Sequence, residues 1–102
     1  MIRYCVVLVR KEELTHEEFR RFWRDEHLPL VRGLPGLVKA ELLPTVDQDS
    51  GYDGVGLLYF HTHDDLTSAL QSDQAKRVRE HTGTFADSLS AVRLVVEDDW
   101  AR

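Results

Sequence analysis

The chain has 102 residues, 42% hydrophobic and 30% charged, with a net charge of −5. That length suits one domain, residues 1–102, and leaves no room for a second core. The acids are spread along the chain, and the densest basic stretch, Arg20 to Arg24, is interleaved with apolar residues, so neither nucleic acid nor an anionic membrane is an expected partner.

The first predicted element is a strand in MIRYCVVLVRK. Its two faces, Ile2, Tyr4, Val6, Leu8 and Cys5, Val7, Val9, are both apolar, so cover is expected on both sides. The apolar run Tyr4 to Val9 is too short for a signal or a membrane span. Cys5 is the single cysteine and can form no internal disulfide, which fits a reducing cytoplasm. Thr15 and Glu18 then make a capping box, with Leu14 placed as the hydrophobic staple. The helix they open sets Phe19, Phe22, Trp23, Glu26, His27 and Leu30 on one broad face. Pro29 disfavours α geometry at Leu28, so a kink or an end is expected there, before the GLPG turn at 33–36.

A second strand, LVKAELLPTV, alternates Lys39 and Glu41 against Val38, Ala40 and Leu42, and with Pro44 reads as an edge. DQDSGYDG is a polar hairpin connection, and VGLLYFH a third strand, apolar on both faces. Thr62 and Asp65 start a helix that runs through Leu70. A short helix from about Gln74 to His81, a loop around TGTFAD and a last strand in SAVRLVVED complete the chain.

The order β-α-β-β-α-β is the ferredoxin-like arrangement, a four-stranded antiparallel α+β sheet with the first and third strands central. Two helices cover one side of such a sheet. The other side is most simply covered by the sheet of an identical chain, which predicts a homodimer.

The runs LTHEEFRRFWRDEHLPLVRGLPGLVK, GVGLLYFHTHDDLTSAL and SDQAKRVREHTGTFADSLSAVRLVVED resemble the EthD-type dimeric α+β barrel proteins over almost the full length. The most specific part is the Thr-x-x-x-Phe-x-x-x-Trp-x-x-x-His-x-Pro-Leu-Val run ending in Leu-Pro-Gly. The resemblance implies dimerisation through the sheets into a barrel, with a pocket in each subunit between helices and sheet. Relatives of this fold include polyketide cyclases, cofactor-free monooxygenases and muconolactone-type isomerases, and fold alone does not choose among them. One departure stands out: where such proteins often carry a Glu on the third strand, this chain has Leu57.

His27 is the first candidate, either a partly buried histidine satisfying carbonyls near the kink or a general base at a pocket mouth. Trp23, Phe19 and Phe22 read as core, although the indole N–H of Trp23 suits a ligand-facing position. His61 and His63 form a His-x-His at a strand end, but a metal needs a third ligand, and none is expected. His81, Phe85 and Asp87 surround the last loop. The resemblance brings the Phe-x-Asp region towards the pocket, while Asp87 as a turn cap is the plainer alternative. Tyr59 and Tyr4, on the central strands, each could supply a phenol. No Gly-x-Gly-x-x-Gly, P-loop, Cys-x-x-Cys or Gly-x-Ser-x-Gly occurs, so no cofactor is expected.

These residues and the resemblance together suggest a small cofactor-free enzyme for a hydrophobic aromatic, polyketide-like or lactone molecule, working by proton transfer in cyclisation, dehydration or isomerisation. His27 would move the proton, with Trp23, Tyr59, His61, His81, Phe85 and Asp87 around the substrate. The alternatives are a cofactor-free monooxygenase and a non-catalytic ligand-binding or stress-response barrel of the same fold. A ligand site of this kind calls for an apolar cavity of roughly 300 Å³ or more beside His27.

Overall fold

Strand propensity and helix caps set the element order, which a computed structural model describes for residues 1–98. It runs β1 (Ile2–Leu8), α1 (His16–Phe22), a π-helical turn (Trp23–His27), α2 (Leu28–Val31), β2 (Lys39–Pro44), a 3-10 turn (Gln48–Ser50), β3 (Gly54–Phe60), α3 (His63–Leu70), α4 (Asp73–Phe85) and β4 (Val92–Glu97). The four strands form one sheet in the order β2-β3-β1-β4. Each neighbouring pair is antiparallel. This is the predicted ferredoxin-like α+β sheet with β1 and β3 central. Among the described residues, no helix is long and apolar enough to cross a membrane.

Two caps form as the sequence predicts, and a third joins them. Thr15 and Glu18 form the reciprocal capping box of α1, and Thr62 caps α3 by accepting from the Asp65 N–H. Ser72 caps α4 in the same way through the Ala75 N–H. Two expectations are corrected. The helix neither ends nor breaks before Pro29; it widens, and the Leu28 N–H bonds the Trp23 carbonyl five residues back. Pro29 then sits in the first turn of α2, where a missing N–H is tolerated. The stretch read as a loop around TGTFAD is the end of α4 instead. Phe85 is fully buried and Thr82 nearly so, and that burial carries the helix past Gly83, which alone would disfavour it.

The alternation of each strand divides the sheet into two faces. Ile2, Tyr4, Val6 and Leu8 of β1 and Leu58 and Phe60 of β3 face the helices and join the core with Phe19, Trp23, Val31, Leu66 and Phe85. The register places Val92, Val7, Val55 and Leu43 in one row across the opposite face and Leu94, Cys5, Leu57 and Glu41 in the next. Among the described residues no helix covers this second face, and Leu94 is 52% exposed and Leu43 45%. Leu57 lies on this face.

Candidate functional site

Phe19, Trp23, His27 and Val31 are spaced by four residues, and all four are buried. In a regular α-helix each step of four turns the side chain by about 40°, so the set would fan out through about 120°. The π-helical turn rotates less per residue and resets that drift, which keeps His27 beneath the sheet-facing side of the helix. Trp23 packs closely against β3. A Cβ on Gly54 would stand 2.2 Å from the indole ring, and one on Gly56 would stand 3.6 Å away. The glycines of GVG are what let the indole reach the sheet.

His27 is 5% exposed. Its Nδ1 lies 2.9 Å from Nδ1 of His81, the two rings stack at 5.1 Å, and Phe85 closes edge-on at 5.0 Å from the His27 centroid. His81 Nε2 is 3.4 Å from the Glu26 carboxylate. With a proton on His81 Nε2 facing the Glu26 carboxylate, His81 Nδ1 can accept from His27 Nδ1–H. His27 Nε2 is then the basic nitrogen. Among the described residues it has no hydrogen-bond partner, and no fully enclosed side-chain nitrogen or oxygen there lacks one. Nε2 is therefore the atom of His27 that meets open space. Burial first, and the neighbouring His81 second, push the imidazole from 6.5 down to about 4. It is neutral at neutral pH and free to accept a proton.

The open space is a cavity of about 80 Å³ between helices and sheet, lined by Tyr4, Val6, Trp23, His27, Leu42 and Gly56 among others. That is well short of the 300 Å³ expected for a whole ligand, and a cavity of about 150 Å³ is needed to take benzene. It admits one end of a small molecule. Arg79 and Arg93 also line it, and both are exposed to solvent. Burial raises the Tyr4 phenol, opposed by Arg93 and Arg79.

The residues expected around the substrate divide. Trp23 and His27 line the cavity, while His81 and Phe85 sit behind His27. Tyr59 does not join them: its register partner is Arg3, so it lies on the uncovered face, where its hydroxyl bonds Glu41 and Arg3 stacks over its ring at 5.1 Å. Tyr4 is the central-strand phenol at the cavity. His61 is exposed beyond the end of β3. Asp87 caps a turn, accepting from the Leu89 N–H at 3.1 Å and the Ser90 hydroxyl at 2.7 Å, and orients no histidine. Among the described residues, no three His, Cys, Asp or Glu side chains gather as a metal-binding set.

A second cluster escaped sequence reasoning. Asp53 is 7% exposed; it accepts from the Arg10 backbone N–H at 2.8 Å and stands 2.7 Å from His16 Nδ1. It borders a broad open groove of about 720 Å³ with Lys11, Glu12, Tyr52 and Asp87. Every contact of Asp53 ties one chain segment to another, and nothing in the sequence pairs residues 10, 16 and 53. The groove is larger than the cavity, but the cavity holds the buried base.

The comparisons agree on the fold. A protein described as EthD family from Bacillus halodurans C-125 is 22% identical, with a TM-score of 0.78 over 96% of this chain and 99% of that one. The cofactor-independent oxygenase SnoaB from Streptomyces nogalater is 13% identical, with a TM-score of 0.73 over 98% and 94%. A dimeric ferredoxin-like protein of unknown function from Bacteroides fragilis is 9% identical, with a TM-score of 0.72 over 94% of each chain. No curated protein matches in sequence. The model of the EthD domain matches residues 11–89, from the end of β1 to the turn that Asp87 caps, and on that match the chain belongs to the EthD family.

Proposed function

We propose that the chain is a small enzyme working without a bound cofactor, which moves a proton on a hydrophobic small molecule held between helix and sheet. The observation that carries this reading is His27, neutral and buried, with Nδ1 on His81 and an unpartnered Nε2 at the cavity. Nε2 takes a proton from an acidified carbon, such as one beside a carbonyl, and returns it to another atom of the same molecule. The hydrogen bond between the two Nδ1 atoms holds the His27 ring in place while Nε2 carries the proton. Cyclisation, dehydration and isomerisation of an aromatic, polyketide-like or lactone molecule need no more than this. A pKa of about 4 makes His27 a weak base, suited to protons that the substrate already loosens. The cavity takes the reacting end, and the rest of the substrate lies towards the exposed arginines.

The active form in this reading is a homodimer. Its support is the uncovered apolar face of the sheet and the dimeric description of ferredoxin-like neighbours from Bacteroides fragilis and Jannaschia. A second reading, a cofactor-free monooxygenase, draws on the likeness to SnoaB. It uses the same His27 to deprotonate a substrate that then meets oxygen.

His27→Gln keeps the size and a hydrogen bond while removing the base. Turnover is expected to fall by about 10²–10⁴-fold, the usual contribution of a general base, with binding retained. Oxygen uptake separates the two chemistries. Unchanged turnover in His27→Gln sinks the base assignment, and retained binding with no wild-type turnover on any carbonyl, lactone or phenolic substrate leaves a binding protein.

A further inference from the structure

The protein carries 18 acidic residues against 13 Lys and Arg, yet the cavity beside His27 is lined by two arginines, Arg79 and Arg93, and by no carboxylate. The register explains how they meet. Leu42, Gly56, Val6 and Arg93 form one row across the helix-facing side of the sheet, ending on the edge strand β4. Every residue of β4 is exposed, so Arg93 carries the lining of the cavity to a solvent-exposed strand. Arg79 comes from α4, where its Nη1 donates to the Leu70 carbonyl at 3.1 Å.

Among the described residues, neither arginine forms an ion pair, and neither Arg93 nor the Tyr4 hydroxyl has a hydrogen-bond partner. The cavity is thus an apolar space with three donors of spare capacity and no carboxylate to balance the two charges. Two guanidinium groups that converge on one opening repel each other, and an anion between them relieves that cost. Both arginines act on the Tyr4 phenol, and no carboxylate does.

We infer that the mouth is a carboxylate subsite, so that the cavity binds a small apolar carboxylic acid as its anion, held by Arg79, Arg93 and the Tyr4 hydroxyl. The hydrocarbon end enters the cavity beside Trp23, and the anionic end stays at the solvent edge. Charge-assisted hydrogen bonds from a planar guanidinium favour this group over a neutral amide of the same shape. The inference rests on the reading that the cavity is the ligand site, and it names the class of ligand.

The test is an NMR titration with two matched pairs, 3-methylbutanoate against 3-methylbutanamide and butanoate against butanamide, following the Trp23 indole N–H and the His27 ring. In each pair the carboxylate is expected to bind at least tenfold tighter and to weaken with added salt. Arg93→Gln and Arg79→Gln should each remove most of that preference while leaving the amide unchanged; both residues are exposed, and a retained spectrum confirms the fold. Equal binding of acid and amide, or a preference that survives in the double variant, overturns the carboxylate subsite and leaves the cavity reading standing. If none of the four compounds perturbs Trp23 or His27, the cavity reading fails together with the inference.

Discussion

At the scale of single residues, the burial of His27 has a thermodynamic consequence apart from any chemistry. Its imidazole titrates at about 4 in the folded chain against 6.5 for an ordinary histidine. Between those values the unfolded chain binds the proton more readily, so stability falls as pH drops from about 6.5 to about 4. The full shift corresponds to roughly 3 kcal/mol. Chemical denaturation at pH 7 and pH 4.5 should therefore show His27→Gln losing roughly 2 kcal/mol less than the wild type on acidification; parallel losses would mean that His27 is not held neutral by the fold. His27 and Trp23 were legible because helical spacing and the family motif both single them out, whereas His81 was read only as a neighbour of the last loop. Tyr59 was misplaced because β3 is apolar on both faces, and alternation alone does not say which face the helices cover. Tyr4 shows the answer only once the register pairs it with Leu58. Arg79 and Arg93 carry no motif at all, and only the fold brings both to one cavity.

Among the elements, the wide helical turn and β3 work as a pair. Trp23 reaches the sheet only because Gly54 and Gly56 present no side chain to it. Gly54→Ala places a methyl 2.2 Å from the indole, which the fold meets by shifting Trp23 at a cost of about 1–3 kcal/mol. Gly56→Ala meets the ring at 3.6 Å, an ordinary contact, and should be close to neutral. Denaturation midpoints compare the two, and a shifted tryptophan emission in Gly54→Ala alone would place the effect at Trp23. The turn itself had a signal in the sequence that the expected kink concealed: four apolar or aromatic-rich positions at intervals of four, where a regular helix prefers alternating threes and fours. The length of α4 had a weaker one. Gly83 and two threonines read as a loop, and only the burial of Phe85 makes them helical.

For the whole molecule, order and topology were readable because capping residues and β-branched runs mark every element. Cavity size was not, since it depends on how closely Trp23, Leu42 and Leu58 pack. The uncovered face sets the association state. With Leu94 at 52% exposure in a row with Cys5 and Leu57, Leu94→Glu should convert a sedimenting dimer at micromolar concentration to a monomer while preserving the helix-side core. A wild type that sediments as a monomer would refute the paired sheets. The Asp53 tie bears on the order of assembly. It closes chain separations of 37 and 43 residues, and its Asp end stands immediately before β3. Closing such loops costs entropy that the β2–β3 hairpin does not incur, so the corner between β1 and α1 locks after that hairpin has paired. Contacts made late on the folding route mainly slow unfolding. The buried carboxylate therefore acts as a latch on the native state, governing how long the molecule stays folded more than how fast it folds.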